Sequence, residues 1–138
     1  MGQFIIKASR DEELYLMWST IVDAPVMVFG SREELRKHLW HESFSCAPPV
    51  EEVANGGPFE ARNPDSRIAR ADANGTSLID DPVGGWDDTG MWVGEGKPDD
   101  GWHYELPRDQ MGAYIRACLE KDWEGANKFL RRTERIED

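Results

Sequence analysis

The run from Leu14 to Val22 limits the fold more than any other stretch, because both of its alternating sets of side chains are apolar. Leu14, Leu16 and Trp18 lie on one side, and Tyr15, Met17 and Ile21 on the other. A strand that is apolar on both faces needs cover on both, so this run predicts a central strand with a layer above and a layer below. Gln3 to Ser9 predicts a shorter strand before it, with Arg10-Asp11-Glu12-Glu13 as a polar turn between the two. Pro25 interrupts the run, since proline cannot donate to a ladder, and Val26 to Phe29 resumes an extended path.

Helix signals follow. Ser31-Arg32-Glu33-Glu34 has the form of a capping box, in which the hydroxyl and the later carboxylate satisfy backbone donors reciprocally. It predicts a helix with Leu35, His38, Leu39 and Glu42 on one face. Residues 45–66, with prolines at 48, 49, 58 and 64 and the pair Gly56-Gly57, predict a long loop. Arg67–Ala71 and Thr76–Ile79 read as two short strands of a hairpin turned at Asn74-Gly75. Residues 84–101 hold six glycines and predict hairpin turns around a strand Met91–Val93, paired with Trp102–Leu106. Pro107 suits the first turn of a helix striped by Met111, Tyr114, Ile115, Cys118 and Leu119. Gly125 breaks or kinks that helix before a last amphipathic turn through Ala126, Phe129 and Leu130. At 138 residues the chain suits one domain, residues 1–138. The expected class is α+β: an antiparallel or mixed sheet of about five to six strands with two to three helices packed on it.

Charge is the second constraint. The net charge of −11 is unevenly spread: residues 1–45 carry −2, residues 46–106 carry −9, and residues 107–138 carry zero. A negative middle repels phosphates and anionic lipid, which disfavours direct binding to nucleic acid or a membrane and favours a protein partner with a basic surface. Hydrophobic residues at 39% and six tryptophans separate the chain from disordered acidic sequences. Cys46 and Cys118 have no metal-type or redox spacing and fall far short of a secreted disulfide framework. The apolar stretch after Met1 is too short for a signal peptide, Ile6 stands where a myristoylation signal needs Ser or Thr, and no run is long enough to span a membrane. The cytoplasm is the expected compartment.

Three groups of residues have chemical potential. His38 and His41, with Glu42 and Cys46 nearby, are spaced so that two helical ligands could share a zinc ion, but no third and fourth ligand completes a pattern. The commoner role for such a pair is one histidine flanking the core and one in solvent. The acidic pairs Asp80-Asp81, Asp87-Asp88 and Asp99-Asp100 could gather a divalent cation or supply a general acid and base, with His103 alongside. None matches a calcium loop, and aspartate is also a turn former because its side chain bonds nearby backbone. Trp86, Trp92 and Trp102, with His103 and Tyr104, occupy the same glycine-rich acidic segment. Exposed rings of this kind anchor protein contacts, whereas stacking on nucleic-acid bases wants basic neighbours. Nucleophile elbows, phosphate-binding loops and the two-histidine zinc signature are absent from the sequence.

The segments Asp11 to Pro25, Ala69 to Ser77 and Gly85-Trp86-Asp87-Asp88 resemble small uncharacterised proteins of actinobacteria and their phages. The likeness departs after Gly90, where Trp92 to Trp102 follows none of its pattern. It implies a bacterial or phage context, and no activity, cofactor or site. The residues therefore favour a small acidic protein-binding module, a regulator, inhibitor or accessory factor acting through residues 46–106. Its contact residues would be Trp86, Asp87, Asp88, Trp92, Trp102 and Tyr104, with no cofactor. A second reading is a small divalent-metal enzyme using Asp80, Asp81, Asp87, Asp88 and His103. A third is a nucleic-acid mimic that blocks a basic DNA-binding protein. Rigid acids at phosphate-like spacing would suit that role better than acids in glycine-rich turns.

Overall fold

The computed structural model describes residues 3–45, 64–79, 81–94, 97–98 and 100–136, with side chains of the first helix described as far as His41. Strands β1 (Gln3–Ser9), β2 (Glu12–Ser19) and β3 (Ala24–Phe29) form an antiparallel sheet in that order. The two-faced run is its central strand. Leu16 and Trp18 enter one hydrophobic cluster, while Tyr15 and Met17 enter another on the opposite face. The strand is shifted from the expected limits at both ends. It begins at Glu12, where Ser9 Oγ donates to Glu12 Oε1 at 3.2 Å, leaving only Arg10 and Asp11 as the turn. It stops at Ser19, whose Oγ accepts from the Ile21 amide at 3.2 Å and so ends the ladder before Asp23 turns back with φ 51°. Opposite Trp18, the β2–β3 register shifts at Pro25.

Helix α1 (Arg32–Ser45) starts on the capping signal, with the Glu34 amide donating to Ser31 Oγ at 3.2 Å. The Glu34 carboxylate accepts from the Gly30 amide at 3.1 Å, one residue beyond the usual box. Leu35 and Leu39 are buried, His38 lies against the Phe29 ring at 5.3 Å, and His41 is exposed. Residues 46–63 of the expected loop, and Cys46 with them, lie outside the described residues.

The hairpin expected from Arg67 to Ile79 is instead a helix and its exit. Helix α2 (Pro64–Asn74) buries Pro64, Ile68 and Ala71. Asn-Gly supplies positive φ, and a helix C-terminus uses that as readily as a hairpin turn does. Here Gly75, at φ 85°, ends α2 with its amide donating to the Ala71 carbonyl at 2.8 Å. The segment beyond makes only one bridge, Thr76 against Ile6, on the outer edge of β1.

That short segment cannot carry the ladder onward, and a second three-stranded antiparallel sheet forms in place of one continuous sheet. It consists of β4 (Gly90–Val93), β5 (Trp102–Pro107) and β6 (Arg131–Arg135), in that order. Pro107 closes β5 rather than opening a helix, and a 3₁₀ turn over Arg108–Gln110 leads into α3 (Met111–Leu119). Its stripe buries Met111, Ile115 and Cys118, half-buries Tyr114 and leaves Leu119 exposed. Lys121, at φ 60°, breaks the chain before α4 (Trp123–Asn127). Gly125 lies inside α4, where its amide takes the Asp122 cap at 2.9 Å.

The result is three layers. Helices α1 and α2 cover one face of the first sheet through Ile5, Tyr15, Met17, Phe29, Leu35 and Ile68. The second sheet and α3 cover the other through Phe4, Leu16, Trp18, Val93, Leu106 and Ile115. Each such side chain contributes about 1.5–3 kcal/mol by leaving water, so the two clusters carry the fold. Among the described residues, no helix is long and apolar enough to cross a membrane.

Candidate protein-binding cleft

The loop from Asp81 to Thr89 is shaped by one buried guanidinium. Arg108, only 8% exposed, donates from Nη2 to the Lys7 carbonyl at 2.5 Å, from Nη1 to the Ala8 carbonyl at 2.7 Å, and from Nε to the Gly85 carbonyl at 3.0 Å. Burial lowers its pKa from the ordinary arginine value, and the charge of Asp88 acts in the opposite direction. An arginine nonetheless stays protonated in a protein, so the loop is fixed to β1 by a permanent cation.

Trp86 lies 5.1 Å from that guanidinium and 5.3 Å from the one on Arg10. Its amide donates to the Asn74 carbonyl at 3.0 Å and its indole Nε1 to the Ala73 carbonyl at 2.8 Å. The ring therefore closes over the carbonyl end of α2. Gly75 must be glycine for this arrangement: a Cβ there would stand 2.8 Å from Arg108 Nη2 and 2.9 Å from the Trp86 ring.

The acidic pairs are turn formers first. Asp81 Oδ1 accepts from the Val83 amide at 3.0 Å. Asp88 uses both oxygens, accepting from the Gly84 amide at 2.7 Å and the Gly90 amide at 3.2 Å. Asp81 and Asp87 are exposed, and together with Thr76, Leu78, Pro82 and Trp86 they line an open cleft of about 340 Å³. Ile79 and Val83 are exposed in the same loop region.

The other aromatic candidates lie elsewhere. Trp92 points outward from β4 at 50% exposure, with the His103 ring 5.8 Å away. Trp102 packs against the core and lies 5.5 Å from the Arg132 guanidinium. Tyr104 is a correction to the expected contact set: its ring is buried and its hydroxyl donates to Asp100 Oδ2 at 2.5 Å, so it presents no contact surface. That hydrogen bond, ahead of those from Arg132 and the Trp102 amide, holds the Asp100 carboxyl below the usual carboxylate range. Asp80 lies outside the described residues. Among the described residues, no three His, Cys, Asp or Glu side chains stand together as a metal set, so Asp81, Asp87, Asp88 and His103 are not gathered at one point.

The densest group of charges lies between α2 and the first sheet. Asp72 receives the Tyr15 hydroxyl at 2.6 Å, Lys7 Nζ at 3.3 Å and Arg32 Nη2 at 2.7 Å. Burial, then the bond to Asp72, pushes the Tyr15 hydroxyl well above its ordinary value. Lys7 is 6% exposed and Tyr15 fully buried, while Arg32 caps the group from the solvent side, and together they act as a latch on α2. Sequence reading identified neither this latch nor Arg108, because a buried cation satisfied by distant carbonyls leaves no local pattern. No family model, curated protein or solved structure matches the chain.

Proposed function

We propose that this protein is a small acidic module that binds another protein through a basic surface, received at the cleft walled by Asp81, Asp87 and Trp86. The observation that supports it most is the state of the two carboxylates. Asp81 and Asp87 stand exposed on an open cleft, and among the described residues neither forms an ion pair. A lysine or arginine entering between them meets two negative charges while its stem lies along Leu78, Pro82 and Trp86. Exposed Ile79 and Val83 add apolar contact beside the charged centre. The net charge of −11 steers basic partners toward the chain and repels polyanions.

The test is capture of a partner by the intact chain, followed by affinity measurement with the purified partner. Asp81→Asn with Asp87→Asn keeps side-chain volume and removes both charges. The double variant should bind at least about tenfold more weakly, and wild-type affinity should fall as salt rises. Equal affinity for the wild type and the double variant would reject the cleft as the site.

A further inference from the structure

The second sheet turns Met91, Val93, Tyr104 and Leu106 into the core. Strand alternation then sends Trp92, His103 and Glu105 to the opposite, outer face. The register sets Trp92 opposite Glu105, and Glu105 opposite Arg131. One row across the three strands therefore carries an aromatic ring, a carboxylate and a guanidinium. Trp92 is half exposed with its ring steadied by His103, and exposed Arg131 pairs with Glu105.

This row is self-complementary. A twofold axis lying in the contact plane along β5 reverses it, so that Trp92 of each copy falls over Arg131 of the other. Each contact is a guanidinium on an indole face, and the two copies of Glu105 meet at the axis, a like-charge contact offset by the Arg131 that each already pairs with. The row is also neutral, on a chain whose −11 charge opposes self-association elsewhere. Pairing by the free edge of β6 would instead bring Arg131, Arg132 and Arg135 of two copies together, and like charges oppose it.

We propose that two copies of this chain associate through the outer faces of their second sheets, with Trp92 of each seated on Arg131 of the other. The contact uses no residue of the Asp81–Asp87 cleft, so it stands or falls apart from that reading. Strand spacing and rise give a face of about 14 by 13 Å, roughly 180 Å² a side, which is well below the area of a standard interface. The dimer is therefore weak and concentration-dependent.

Sedimentation equilibrium of the full chain, from low micromolar to near-millimolar concentration, tests it. The average mass should climb from 15.7 kDa toward twice that value. Trp92→Ala and Arg131→Glu should each weaken association at least about tenfold, since a central aromatic–arginine contact carries most of a small interface. Both positions are exposed, and circular dichroism checks that the fold is kept. Glu105→Arg combined with Arg131→Glu restores the charge pair within each copy but leaves Trp92 facing a carboxylate, so it should not recover the affinity lost in the single charge variant. A monomeric mass across the whole range would overturn the proposal. So would a dimer that Trp92→Ala leaves unchanged, which would place the contact on another surface such as the β6 edge.

Discussion

Replacing Arg108 with methionine tests whether one buried cation organises the cleft. Methionine keeps much of the stem and removes all five donors. The Lys7, Ala8 and Gly85 carbonyls, now met at 2.5, 2.7 and 3.0 Å, lose their partner. Hydrogen bonds to a charged group contribute about 1.5–3 kcal/mol each, so the three amount to a gross contribution of about 4.5–9 kcal/mol. Keeping a guanidinium out of water costs several kcal/mol even after relaxation, and the substitution removes that cost as well. The net loss should be about 2–4 kcal/mol, which for a chain of this size lowers Tm by about 6–15 °C. Urea unfolding followed by tryptophan fluorescence measures it, with an unchanged slope showing that the unfolded state is not what moved. Arg108→Lys should recover less than half of the loss, because one ammonium cannot span three carbonyls. A loss below about 1 kcal/mol for the methionine variant would refute the reasoning, since burial cost and hydrogen bonding would then cancel. Under the proposed reading of the cleft, affinity for a basic partner should fall with stability, because Gly85 and Trp86 form the cleft wall that Arg108 holds.

Gly75→Ala should cost more than about 2 kcal/mol in a thermal melt, combining the positive-φ penalty with the contacts at 2.8 and 2.9 Å. Gly101→Ala has a similar φ of 84° but open space around it, and should cost only about 1 kcal/mol; equal losses would remove the steric argument. Tyr15→Phe should cost about 1–2 kcal/mol through the 2.6 Å bond to Asp72, and an unchanged melting temperature would show the latch to be idle. Asp100 has a folded-state pKa below the ordinary value, so the native state binds fewer protons than the unfolded chain as pH falls. Its contribution is present above the ordinary aspartate pKa and is lost as pH drops toward the folded value. Asp100→Asn should flatten the acid side of the stability profile, and an identical profile would refute the assignment.

The parts of the fold legible in the sequence are those whose cause is local or periodic. The two apolar sets of β2 demanded two layers, and Tyr15 and Met17 do part company with Leu16 and Trp18. The capping residues of α1 and the stripe of Met111, Ile115 and Cys118 act within one or two turns. By contrast, Asn74-Gly75 encodes a backbone angle, and the angle alone does not say whether a hairpin or a helix end uses it. The choice fell to Ile68 and Ala71, which reach the cluster of Ile5, Tyr15 and Met17 only if the segment is helical. Strand β6 is harder still. All five of its residues are exposed, so no apolar alternation marks it, and it exists because β5 offers a ladder.

The acidic middle illustrates why charge totals locate a functional region only coarsely. Residues 46–106 hold most of the excess charge, but an aspartate whose oxygens already accept backbone amides has little left to offer a partner. Asp88 engages both oxygens in that way, and Asp100 is held by Tyr104, Arg132 and the Trp102 amide. Asp87 is the reverse case, exposed and without an ion pair among the described residues, while Asp81 keeps one oxygen outside its turn. The tryptophans divide by the same rule. Trp86 is tied down through its indole N–H and Trp102 is packed against the core, whereas Trp92 keeps half of its surface free on a strand that fixes its direction. Which acids and rings remain unengaged after folding is a property of long-range pairing, with Arg108 reaching back a hundred residues to Ala8, and the composition of a segment cannot express it.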